Sequence, residues 1–191
     1  MDHCCERLSI ALTCPIGGRQ GGIVSDQTRE CAGASWPTSM LELDPAEALL
    51  VWALRRWVLG LRENVGGHLA MVSQEFARQL DSPESDNALA SFAALMRGLQ
   101  EHARRRIRHH QPCCPCLGAD EVWLVCLVGA CQRGDLCHAR ALAEWMVHSD
   151  GIGDLLDAAA RLARVMGHHA LLIPSRGSGA LVASNGPLTV H

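Results

Sequence analysis

Apolar residues recur at steps of three and four along most of this chain, the spacing that places them on one face of an α-helix. The first such stretch follows Asp44, which can cap a helix, while Pro45 suits the first helical position. Glu47 stands three residues after the cap, as in a capping box. The pattern predicts a first helix over about 44–63. Within it, helical spacing relates Leu49, Trp52, Ala53, Arg56 and Trp57.

The same spacing predicts further helices along the chain. We expect a second over about 68–80, after a break at Gly66 and Gly67, and a third from Ser82 to a polar end that runs as far as Arg106. A fourth, over about 119–133, is apolar on almost every side, which indicates a helix buried at the centre of the fold.

Capping residues mark the last two helices. Gly134 ends the fourth, and Asp135 caps a fifth that runs to about residue 148. A sixth starts at Asp150 or Gly153 and stops at Gly167, a residue suited to a left-handed helix terminus. No alternation typical of a strand lasts more than a few residues. The predicted fold class is therefore all-α, a compact bundle of five to six helices.

Both ends of the chain lack this periodicity. Residues 1–39 contain paired glycines, prolines and scattered cysteines, so we expect a disordered N-terminal arm or an upstream extension ahead of a start at Met40. A real ordered segment is the alternative. Residues 175–191 are small and rich in Gly and Ser, which predicts a flexible tail. The predicted helical domain is 40–174.

Composition narrows the class of protein. Hydrophobic residues make up 48% of the 191 residues and charged residues 19%, with a net charge of −3, which is typical of a globular protein and argues against a nucleic-acid binder. All 17 basic residues are arginine and tyrosine is absent, so lysine Schiff-base chemistry, a P-loop lysine and tyrosine acid–base catalysis are excluded. The N-terminus has no positive region typical of a signal peptide, and no long uninterrupted apolar run occurs. We expect a soluble cytoplasmic protein with reduced thiols and no membrane contact.

The segment before the fourth helix carries the most distinctive chemistry of the chain. It reads His-His-Gln-Pro-Cys-Cys-Pro-Cys over 109–116, and thiolates and imidazoles are preferred zinc ligands. His109 and Cys131 are also within reach as alternative ligands. The predicted metal ligands are His110, Cys113, Cys114, Cys116, Cys137 and His138.

Two other interpretations of this segment stay open. A pair such as Cys114 and Cys116 before a helix N-terminus suits a thiol redox switch or a small thiol-dependent enzyme. The cysteines also suit a purely structural connector, because free cysteine commonly packs as a small hydrophobe. We regard Cys126 and Cys131, inside an apolar helix, as core residues.

Charged residues flank the segment on both sides. Four arginines precede it and predict weak binding of anions or of an acidic protein partner. They are Arg104, Arg105, Arg106 and Arg108. Charge near a helix C-terminus also complements the helix dipole, which needs no ligand. Asp120 and Glu121 follow the segment, and we interpret them as residues that cap the fourth helix.

The stretch Cys114-Pro-Cys-Leu-Gly-Ala-Asp-Glu121, with Gln132-x-Gly-Asp135 after the next helix, resembles short segments of small, uncharacterised bacterial helical proteins. The resemblance spans about 41–173 and implies a helical domain without any particular activity. The sequence thus predicts a cytoplasmic helical binding or regulatory module with a Cys/His zinc site. A redox or enzymatic thiol protein and a structural interaction domain are the alternatives.

Overall fold

The computed structural model describes residues 36–63, 66–81 and 83–176. Over these ranges it contains six α-helices and no strand, so the predicted all-α bundle of five to six helices is confirmed. The helices are α1 (Pro45–Glu63), α2 (Gly66–Gln79), α3 (Glu84–His102), α4 (Ala119–Arg133), α5 (Leu136–Met146) and α6 (Ile152–His168). Single 3-10 turns, Met40–Glu42 and Ser149–Gly151, precede α1 and α6.

Helix α4 is the central helix of the bundle, as its sequence predicted. It packs against α1, α5 and α6, while α2 and α3 complete the layer around α1 and α6. Every residue from Asp120 to Ala130 is buried, because neighbouring helices cover each side of α4. A helix without a polar face is stable in water only in such a position.

Local capping chemistry explains several of the helix ends. The Glu47 carboxylate accepts the Asp44 backbone N–H at 2.9 Å, and the Asp135 side chain accepts the His138 N–H at 3.1 Å. Gly134 adopts a left-handed conformation with φ of 70° and ends α4. These ends follow the sequence prediction.

Other predicted ends are wrong by a few residues. Gly66 does not break a helix but begins α2. Gly167 lies inside α6 and does not end it. The residue with a positive φ, of 58°, is Ala170, which lies beyond the helix. Helix α3 stops at His102 rather than continuing to Arg106, since Ala103 turns into an extended conformation. The arginines that follow therefore lie on a non-helical segment.

Close contact between α3 and the turn before α6 replaces the predicted continuation of α3. The His148 N–H donates to the His102 carbonyl at 2.9 Å, and Ala103 pairs with Val147 in an isolated bridge. A Cβ atom on Gly151 would lie 2.4 Å from the Cβ of His102. Only glycine permits this approach.

The folded domain extends beyond the predicted limits of 40–174. Trp36 packs against the core, Pro37 is buried, and the Thr38 carbonyl accepts the Leu117 N–H at 2.9 Å. At the other end, Arg176 forms an ion pair with Glu47. The rest of the predicted arm and tail lies outside the described residues. Among the described helices, none is both long and apolar enough to cross a membrane.

Candidate functional site

The segment between α3 and α4 forms the candidate site, and its second half pairs with the chain that precedes α1. Cys116 and Ser39 form an isolated antiparallel bridge. The Met40 N–H donates to the Pro115 carbonyl at 2.7 Å, beside the bond between Leu117 and Thr38. We call residues 109–118 the cysteine loop.

Arg55, from the middle of α1, holds the cysteine loop from inside the protein. Its side chain is only 1% exposed. Two of its nitrogens donate to the carbonyls of Cys114 and Cys116, each at 2.6 Å, and a longer bond of 3.3 Å reaches the Gln111 carbonyl. One guanidinium therefore donates hydrogen bonds to three carbonyls of the loop.

Glu121 completes this buried network from the first turn of α4. Its fully buried carboxylate accepts Arg55 Nε at 2.8 Å and Arg55 Nη2 at 2.9 Å. The backbone N–H groups of His110 and Gly118 donate to the two carboxylate oxygens, each at 2.8 Å. The bond from Gly118 confirms the predicted capping role, and the bonds from Arg55 and His110 extend it to both ends of the loop.

These contacts set the ionisation of Glu121. Burial alone would raise its pKa, but the hydrogen bonds from Arg55, Gly118 and His110 outweigh it, so the pKa lies below its ordinary value of 4.5. The carboxylate is therefore charged at neutral pH and pairs with the charge of Arg55.

Asp120 fixes the arginine-rich segment that leads into the loop. Both of its carboxylate oxygens accept the Arg105 guanidinium, at 2.6 and 2.7 Å, and one also accepts the Arg108 N–H at 2.7 Å. The Arg105 guanidinium lies 4.6 Å from the ring centre of Trp145, in a cation–π contact. Asp120 is thus a positioning residue as well as part of the first turn of α4.

The structure brings two of the six predicted metal ligands together. The chain turns after Gln111, whose carbonyl accepts the Cys114 N–H at 3.0 Å. This turn brings Cys114 Sγ to 3.8 Å from His110 Nδ1. Cys113 and Cys116 are exposed.

The remaining predicted ligands lie on α5. Cys137 is exposed in its first turn, and His138 borders a small cavity together with Trp36, Cys126 and Arg176. Over the ranges that the structure describes, no three His, Cys, Asp or Glu side chains are grouped so that they could hold a metal ion. The zinc site stays a prediction, and Cys114 and His110 are the two predicted ligands that lie close together.

The cysteines of α4 differ from those of the loop. Burial raises the pKa of Cys126 to about 12 and that of Cys131 to about 11. Both thiols therefore stay protonated and poorly reactive, which agrees with their interpretation as core residues.

The four predicted anion-binding arginines separate into two pairs. Arg105 is bound to Asp120, and Arg104 Nε donates to the Val147 carbonyl at 2.8 Å. All four arginines are exposed, but the guanidinium groups of Arg106 and Arg108 form no ion pair with other described residues. Arg104 and Arg105 therefore form contacts within the fold, which leaves Arg106 and Arg108 as candidates for anion binding.

The sequence analysis missed two arginines: Arg55, which holds the cysteine loop, and Arg176, which pairs with Glu47. In α1 the Arg55 side chain is buried, whereas that of the neighbouring Arg56 is only half-buried. The sequence signal that could have identified Arg55 is its position four residues after Val51, among apolar neighbours. A buried charge there requires a partner from elsewhere in the chain, which a helical pattern does not identify.

The fold and the loop together define an all-α protein with a buried Arg–Glu pair beneath a thiol- and imidazole-bearing loop. Comparison with protein-family models, with curated proteins and with solved structures found no match to this chain.

Proposed function

We propose that this chain is a cytoplasmic helical binding or regulatory module of bacterial type whose functional surface is the cysteine loop. The observation that supports this most is the 3.8 Å approach of Cys114 Sγ to His110 Nδ1. Both residues lie on backbone that the buried Arg55–Glu121 pair holds in place. A packed bundle has no structural need for a thiol–imidazole pair on such a support.

Zn²⁺ is the ligand that suits this pair best. A cysteine thiolate and a histidine nitrogen are ordinary zinc donors, but a closed structural site needs four. Cys113 and Cys116 are exposed on the same loop and would supply further sulfur by side-chain rotation. The loop carbonyls could remain bound to Arg55 during such a rotation. As a regulatory module the protein would act through a protein partner, and its exposed arginines would attract acidic groups weakly.

The test is the zinc content of protein purified without a polyhistidine tag and equilibrated with Zn²⁺. We expect about one zinc per chain, which Cys114→Ser should lower strongly. Cys131→Ser is the matched control, because it removes a thiol from the half-buried end of α4. Cys137→Ser distinguishes a site confined to the loop from one that also uses α5. Equal zinc in wild type and Cys114→Ser would contradict the proposal.

A thiol redox switch is the second candidate, and the same contact favours it. The His110 imidazole can accept the Cys114 proton, which produces the reactive thiolate. Peroxide would oxidise this thiolate to a sulfenic acid with release of water. Attack by the thiolate of Cys113 or Cys116 would then give a disulfide and a second water. Peptide mass mapping of metal-free, peroxide-treated protein should show a disulfide from Cys114 that a thiol reductant reverses.

A structural interaction domain without loop chemistry is the third class. It predicts that the zinc and peroxide experiments both give negative results while the protein remains folded. Circular dichroism of the same samples separates that outcome from loss of the fold.

A further inference from the structure

A second candidate site lies apart from the cysteines, at the C-terminal ends of α1 and α3. It is a groove of about 610 Å³, within the range typical of small-molecule sites. Its floor is apolar and comes from α1, α3 and the segment after α3. The floor residues are Val58, Leu61, Met96, Leu99, Ala103 and Ile107.

The polar rim of this groove carries positive charge. Arg62, Arg105 and Arg106 line it, and no acidic side chain does so among the described residues. Arg105 already forms an ion pair with Asp120, so the charge of Arg105 is balanced within the protein. For Arg62 and Arg106, no ion pair is formed within 36–63, 66–81 and 83–176. Two guanidinium groups are thus available to a ligand beside an apolar floor.

We propose that this groove binds a medium-chain aliphatic monocarboxylate, with its chain on the apolar floor and its carboxylate between Arg62 and Arg106. The planar guanidinium matches a carboxylate with two parallel hydrogen bonds, and the floor removes the chain from water. The groove contains no cysteine and meets the cysteine loop at His109, which lies outside the Cys114–His110 pair on which the zinc and redox proposals rest.

The probe for the test is decanoate, titrated into the full-length protein by calorimetry. We expect saturable binding that Arg62→Gln and Arg106→Gln each weaken about threefold, as exposed charge pairs do, and that the double variant weakens about tenfold. Octanoate should bind about fifteenfold more weakly than decanoate, because it lacks two methylenes and each buried methylene contributes about fourfold. Decanol, which lacks the charge, should bind more weakly than decanoate.

Arg108→Gln is the matched control. It removes the same charge from the same segment, and Arg108 does not line the groove, so the affinity should stay unchanged. Since all three arginines are exposed, the variants should keep the fold, which circular dichroism checks. Three results would overturn the proposal: no saturable binding, equal weakening by Arg108→Gln and the double variant, or equal affinity for decanol. A dimer that Leu61→Glu disperses would also overturn it, because a second copy would then cover the groove.

Discussion

Replacement of Glu121 by glutamine tests whether the buried network holds the cysteine loop. The carboxylate accepts four hydrogen bonds, two from Arg55 and one each from the backbone of His110 and Gly118. Each of its oxygens faces two donors. In Glu121→Gln the amide nitrogen must replace one oxygen, so it meets two donors that it cannot accept, and the charge of Arg55 loses its partner.

The expected cost is large for a single substitution. Loss of one partner from a buried ion pair costs about 3–5 kcal/mol, against about 5–15 kcal/mol for the unfolding of a whole domain. Glu144→Gln is the matched control, because Glu144 is 48% exposed and pairs with Arg140 one helical turn away. Its cost should be below about 0.5 kcal/mol. Urea denaturation followed by circular dichroism measures both values.

A second comparison separates the ion pair from its bonds to the loop. An isolated buried ion pair is often replaced by apolar residues at little cost. Here Arg55→Met with Glu121→Leu would remove the Arg55 donor from three loop carbonyls and the Glu121 acceptor from two backbone N–H groups, so the double variant should remain strongly destabilised. The reasoning is refuted if Glu121→Gln costs no more than its control, or if the double variant recovers wild-type stability.

Four further outcomes are expected. The pKa of Glu121 in the folded protein is depressed, so the stabilisation that its carboxylate contributes is complete above the ordinary value near 4.5. This stabilisation is lost as the pH falls toward the folded pKa. Glu121→Gln should therefore flatten the acid side of the plot of unfolding free energy against pH. Gly151→Ala should cost about 1–3 kcal/mol in urea denaturation because its Cβ collides with α3, whereas Gly167→Ala, with open space inside α6, should be neutral or stabilising by up to about 1 kcal/mol. Arg176→Ala should lower the unfolding free energy by about 1–3 kcal/mol, since the fully buried Glu47 loses its ionic partner; no loss would mean that this end of the chain is dispensable. In native protein at about pH 8, iodoacetamide followed by peptide mapping should label the loop cysteines and spare Cys126 until urea is added.

The periodicity of the sequence was sufficient to predict the bundle and its central helix. Helix α4 shows why, since a 15-residue stretch without a polar face can only be buried on all sides. Local capping signals such as Asp135 and Gly134 act within a few residues, so their effects can be predicted from neighbours alone. The end at Gly167 failed because the left-handed residue was instead Ala170, where an alanine gives no local signal.

The candidate site depended on contacts between distant parts of the chain. The sequence indicated the loop and its thiols, but Arg55 lies 66 residues from Glu121, and helical spacing did not identify Arg55 as a buried residue. A rotation of about one residue in α1 decides which arginine is buried, and the packing of α1 on α4 sets that rotation. The groove beside Arg106 likewise exists only because α3 ends at His102 and the following segment folds back toward α1. Sequence thus determined which elements form, through local energetics, whereas tertiary packing determined which charges are buried together and which remain available to a ligand.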